Sequence, residues 1–172
     1  TSLIKASKVH HVAAVQSEYS LSTRSPEMGL VQTCKELGTA LVAFSPVGRS
    51  FLTDTPLSYE SGQKLDFTKN NPRFIKENYH ENIRLTEKFR SYAKDIGFKT
   101  ATLAIAWLLN QGEHIIPIPG TRSVDHLNQL AASRDIDLTD EIVSEIERIL
   151  PIGWAYGDRY SDVQWVGPER YC

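Results

Sequence analysis

Three short apolar runs, the first two separated by room for one helix, constrain this chain more than any other feature. Val9–Gln16 (VHHVAAVQ), Leu41-Val42-Ala43-Phe44 and Ile115–Ile118 each read as a buried strand. Between the first two, Ser25 followed by Pro26 marks a helix start, and Leu30, Val31, Cys34 and Leu37 recur at helical spacing up to Gly38. Strand, helix and strand in this order make a βαβ unit, whose two strands run parallel. Pro117 removes a ladder donor from the third run, so only a few of its residues are expected to pair.

The remainder supplies cover for that sheet. From Ser45 to about Asn78 the chain is rich in Pro, Gly, Ser and Asn without sustained periodicity, too long for an ordinary connector, and reads as a lid or binding loop. A helix is predicted from Tyr79 to Asp95, ending at Gly97. A second, apolar nearly all round, is predicted from Ala101 to Asn110 with Thr100 as its cap. Ser123 begins a helix through Ala132, and Thr139 caps another whose Ile142, Ile146 and Ile149 form a stripe ending at Pro151. Three parallel strands cannot close a barrel, yet helix follows strand as in the outer ring of an eight-stranded one. The architecture expected is α/β, the C-terminal half of a (β/α)8 TIM barrel, with residues 1–172 forming that half of one domain and the N-terminal half absent from this chain. Its strands would then leave one sheet face uncovered.

Charge narrows the function classes. A net charge of −2 from 19 basic and 21 acidic residues gives no polybasic face, which argues against nucleic acid. No run approaches a membrane span and no signal-peptide pattern opens the chain, so the reading is cytoplasmic. Cys34 lies in the helical stripe and Cys172 at the end, so neither a disulfide framework nor a zinc site is expected. His80-Glu81 lacks a second histidine at metal spacing, and Ser45 lacks the Gly-x-Ser-x-Gly context of a serine hydrolase. His10-His11 read as structural.

The segments Val15-Gln16-Ser17-Glu18-Tyr19-Ser20-Leu21, Ala43-Phe44-Ser45-Pro46-Val47-Gly48-Arg49 and Ile116-Pro117-Ile118-Pro119-Gly120-Thr121-Arg122 carry a resemblance. In order and spacing they are similar to the ends of strands six, seven and eight of aldo-keto reductases. Asn71-Pro72-Arg73-Phe74, Ala104–Leu109 and Gly157-Asp158-Arg159-Tyr160 resemble the short-loop bacterial and plant members, which are similar to potassium-channel β-subunits and pyridoxal-reductase-like proteins. The resemblance implies NADP(H) held in extended form across a barrel rim, without a Gly-x-Gly-x-x-Gly motif, and a small aldehyde or ketone as substrate.

Carried over to this chain, the resemblance places Gln16 at the nicotinamide carboxamide and Phe44 against the ring, where only a flat apolar face is needed. Backbone groups of Ser45, Pro46, Val47, Gly48 and Arg49 would line the diphosphate, with Ile118 alongside and the long loop as a belt. The turn Gly120-Thr121-Arg122 also has a case of its own. A strand end entering a helix start presents unpaired N–H groups, and Arg122 adds a guanidinium suited to a phosphate fork, which points to the adenosine 2′-phosphate. His126 and Gln129 would face the adenine, although Gln129-Leu130 stands where a Glu-Asn pair is common in the family. Taken singly, Gln16 is an ordinary polar strand end, Phe44 core and Arg122 a solvated charge.

The family's tyrosine acid, with its lysine, aspartate and histidine, has no counterpart here, so the chain alone is expected to be inactive. Two functions follow: the cofactor-binding half of a reductase that needs its N-terminal half, or a short non-catalytic nucleotide-binding or regulatory subunit that dimerises with a second copy. Tyr19, Arg24 and Trp154 are the only hints of a substrate wall.

Overall fold

A computed structural model of the chain describes residues 2–165. Its sheet has three parallel strands in the order β1 (Ala14–Glu18), β2 (Ala40–Phe44), β3 (Ile115–Ile118). The helices are α1 (Ser2–Ser7), α2 (Leu30–Leu37), α3 (Tyr59–Gly62), α4 (Asp66–Lys69), α5 (Lys76–Asp95), α6 (Thr100–Leu109), α7 (Val124–Ala131) and α8 (Asp140–Ile149), joined by four short 3-10 turns.

Pairing length sets the strands. Ala14 pairs with Ala40, the first residue of β2, so β1 begins there rather than at Val9, which is 89% exposed. Thr39, just before β2, closes this end by donating its hydroxyl to the Val12 carbonyl at 2.8 Å. The expected strand from Val9 is therefore corrected to one that starts later and runs on through Glu18. Pro117 sits within β3 opposite Ala43, and that strand keeps the expected bounds.

Alternation gives the sheet two unlike faces. Leu41, Ala43 and Ile115 pack in a core with Cys34, Leu103, Ala104, Trp107 and Leu108. Gln16, Val42 and Ile116 lie in one row of the opposite face, and Glu18, Phe44 and Ile118 in the next. Ile116 and Ile118 remain 48% and 44% exposed, so that face is open over β3 among the described residues, whereas Glu18 at the end of β1 is fully buried. Helix α6 is buried from Thr100 to Leu108, which explains its lack of a polar side.

Capping agrees with the sequence at Ser123 and Thr139, whose hydroxyls accept from the N–H groups of His126 and Ile142. Two caps are corrected. Ser25 starts a 3-10 turn, Ser25–Met28, its hydroxyl makes no hydrogen bond among the described residues, and Gly29 precedes α2 instead. Thr100 lies inside α6, and the helix start is capped by Asp54, which accepts from the Thr100 N–H at 2.9 Å. Helix α5 begins three residues earlier than its sequence pattern suggests, after the Pro72–Phe74 turn. Cys34 is buried, and Cys172 lies outside the described residues.

Candidate functional site

Because the strands are parallel, their C-terminal ends share one rim, the edge at which α/β sheets bind ligands. A cleft of about 1040 Å³ opens there. One wall is the turn after β2, to which Ser45, Pro46, Val47 and Arg49 belong. The other is the turn after β3 and the start of α7, with Gly120, Thr121, Arg122, His126 and Gln129. Nine of the residues singled out in the sequence thus meet on one cleft. Gln16, Phe44 and Ile118 do not line it; they stand on the sheet face away from the core, on the strands that lead into it. Gly48 is buried beneath the first wall.

The first wall is an unusual piece of backbone. Ser45, Gly48, Arg49 and Ser50 all have left-handed φ angles, of 53°, 57°, 53° and 80°. For the three that carry a side chain this costs about 1–2 kcal/mol each, so surrounding contacts must hold the conformation. Such turns aim peptide N–H groups into a concavity that suits an anion. Gly48 is required here, since a Cβ would lie 2.8 Å from the Ser22 hydroxyl oxygen.

An ion-pair cluster beneath the wall supplies the holding contacts. Glu18 is fully buried, and its Oε2 accepts from Arg49 Nη2 at 2.7 Å while its Oε1 accepts from the Thr23 hydroxyl at 3.2 Å. Arg73, also buried, reaches within 3.8 Å of the same carboxylate and donates to the Ser22 carbonyl at 2.8 Å. Burial draws the Arg73 guanidinium down to about 10 against the pull of Glu18, with Arg49 and Arg159 adding to the fall; it stays cationic at neutral pH.

The second wall is built differently. Gly120, Thr121, Arg122 and His126 are exposed. The Ser123 hydroxyl caps the His126 N–H, while the N–H groups of Val124 and Asp125, at the first positions of α7, have no intrahelical acceptor. Arg122 has no ion pair among the described residues, and a Cβ placed on Gly120 would meet only open space. Val47, Ala101 and Leu130 give the cleft an apolar patch.

Sequence reasoning missed Asp54 and Lys99, which also border the cleft and face each other at 3.6 Å. Partial burial raises the Asp54 carboxyl, but hydrogen bonds from Thr100 and the charge of Lys99 outweigh it and hold it below its ordinary value. No local pattern announces this pair, because Asp54 meets α6 across 46 residues of chain. Tyr19 and Trp154 are not a substrate wall. Tyr19 is fully buried with its hydroxyl donating to Glu27 at 3.0 Å, and Trp154 is buried with its indole N–H donating to the Leu21 carbonyl at 2.7 Å. Arg24 stacks on Trp107 and pairs with Glu27.

The profile of the Aldo/keto reductase family matches residues 2–151. The chain belongs to the aldo/keto reductase family. It is 36% identical over 159 residues to the aldo-keto reductase yakc of Schizosaccharomyces pombe, whose name carries NADP(+); the match covers 91% of this chain and 47% of that protein. It is 37% identical over 156 residues to probable aldo-keto reductase 1 of Glycine max, covering 91% of this chain and 45% of the relative. The chain thus spans about half the length of the curated relatives it matches.

Solved structures agree on the fold. Glycerol dehydrogenase of Gluconobacter oxydans superposes with a TM-score of 0.69 at 23% identity, over 84% of this chain and 44% of that one. A thermostable aldo-keto reductase in complex with the inhibitor epalrestat gives 0.55, also at 23% identity, over 79% and 39%. Within this aldo/keto reductase chain, no helix among the described residues is long and apolar enough to cross a membrane, and none of their His, Cys, Asp and Glu side chains form a group of three placed to hold a metal ion.

Proposed function

We propose that this chain forms the NADP(H)-holding part, the C-terminal half-barrel, of an oxidoreductase that reduces aldehydes or ketones to alcohols. The observation that carries the reading is the cleft itself. A left-handed turn stands on one side, a helix start whose arginine has no ion pair among the described residues on the other, and an apolar patch in the same cleft. The residues present fit a dinucleotide phosphate: the N–H groups of Ser45, Val47 and Arg49 suit the diphosphate, Pro46 having none and that of Gly48 donating to the Ser45 carbonyl, and Gly120, Thr121 and Arg122 suit a third phosphate. His126 and Gln129 border the same cleft and take the adenine, over the apolar patch. Gln16, Phe44 and Ile118, on one sheet face, take the nicotinamide end: Phe44 as a flat surface and Gln16 as hydrogen-bond partner for the carboxamide. A relative that carries NADP(+) in its name supports the choice of cofactor.

Bound NADPH supplies the hydride. Reduction also needs a proton donor at the carbonyl oxygen, and neither buried tyrosine among the described residues serves, Tyr79 because its hydroxyl donates to the Leu57 carbonyl at 2.8 Å and Tyr19 because of its surroundings. Burial, then the Glu27 carboxylate, push the Tyr19 hydroxyl above its ordinary value, and its proton is committed to that carboxylate. We therefore expect no turnover from these 172 residues alone and activity once a complementary half-barrel covers the open sheet face. A regulatory chain that covers the same face with a second copy is the other reading that face favours; sedimentation as a stable dimer would support it.

Hydrogen exchange with and without NADP+ tests the proposal. Protection is expected in two separate segments, 45–55 and 120–130, and protection in neither would overturn it.

A further inference from the structure

Arg49 borders the cleft, yet its guanidinium is spoken for elsewhere. Nη2 donates to the buried Glu18 at 2.7 Å, and Nη1 donates to the Arg159 carbonyl at 2.6 Å. The same plane lies over two rings, Phe67 at 5.0 Å and Tyr160 at 4.8 Å. One side chain therefore joins the end of β1, the turn after β2, the long loop and the C-terminal tail. Asn71 reinforces the junction by donating to the same Arg159 carbonyl at 2.6 Å. The residue making these contacts is itself left-handed, at φ 53°.

We infer that Arg49 is a positioning residue for the cofactor cleft, a clasp that holds the left-handed turn in its anion-binding shape by tying it to Glu18 below and to the tail outside. Its two outer nitrogens each already give a short bond to the protein, so the guanidinium is oriented by the fold before any phosphate arrives. A planar fork is needed to bond in two directions and stack as well; an ammonium provides the charge without that geometry. The cofactor role of the turn rests on the function proposed above. The mechanical link between turn and tail does not.

The test compares Arg49→Lys, Arg49→Gly and the milder Phe67→Leu with the unaltered chain by two readouts. Hydrogen exchange without nucleotide reads the link, and NADPH fluorescence titration reads its consequence. Arg49→Lys keeps the charge and Arg49→Gly relieves the left-handed strain. Both are nevertheless expected to speed exchange in segments 45–53 and 157–165 together by at least about tenfold and to weaken NADPH binding by a similar factor. Phe67→Leu, which removes one stacking face at the surface, is expected to give about a threefold change in both readouts.

Rescue by Arg49→Lys, with exchange in both segments and affinity as in the unaltered chain, would overturn the clasp, as would loosening of one segment without the other. Failure of the unaltered chain to bind NADPH would instead remove the cofactor reading, and the exchange result would still decide the link.

Discussion

The two walls of the cleft solve different problems. The turn after β2 is tied down from beneath: Pro46 and Gly48 are buried, and Arg49 is anchored to a carboxylate with no exposure at all. The turn after β3 is exposed at Gly120, Thr121, Arg122 and His126, and its arginine has no carboxylate partner among the described residues. The first wall spends stability on shape; the second leaves charge and N–H groups open. Cofactor surfaces need both, because a strained turn must be held before any ligand arrives, whereas a phosphate needs donors that are not already used.

That contrast predicts unequal costs. Glu18→Ala strands the Arg49 and Arg73 guanidinium groups in a buried setting and should destabilise the chain by about 3–5 kcal/mol, read from the denaturant midpoint. A loss below about 1 kcal/mol would mean that the first wall does not depend on its ion pair. On the second wall, Ser123→Ala removes only the α7 cap and should cost about 1 kcal/mol. A cost as large as that of Glu18→Ala would erase the distinction between the walls.

The smallest change should be the most informative. Gly120 is not held at a left-handed φ, and a Cβ there meets nothing, so Gly120→Ala should leave stability unchanged or raise it by about 0.4–1 kcal/mol. NADPH affinity should nevertheless fall, since the added methyl occupies the space at which a phosphate would approach the backbone. Unchanged affinity would show that no ligand comes close to this glycine.

What could be read in advance was local. Short continuous apolar runs gave β2 and β3, the crossover helix before β2 gave the parallel order, and hydroxyl caps gave the starts of α7 and α8. The motif ends fell on one rim because parallel strands put them there. Features that depend on distant partners were not legible. Asp54 caps α6 from a loop without periodicity, Trp154 folds back onto Leu21 from 133 residues away, and the Ser25-Pro26 pair starts a 3-10 turn instead of a helix. Glu18 was quoted within a motif, but nothing in the chain near it foretold burial beside Arg49. Four-residue helices such as α3 and α4 are too short to show a hydrophobic period.

The relative affinity of the chain for NADPH and NADH, measured in parallel for the unaltered protein and for Arg122→Glu, tests the phosphate assignment most directly. NADPH should bind at least about tenfold tighter, some 1.4 kcal/mol, and the substitution should abolish that preference while leaving NADH binding nearly unchanged. Equal affinities in the unaltered chain, or an equal loss for both nucleotides in the variant, would contradict the assignment of the Gly120–Arg122 turn to a third phosphate.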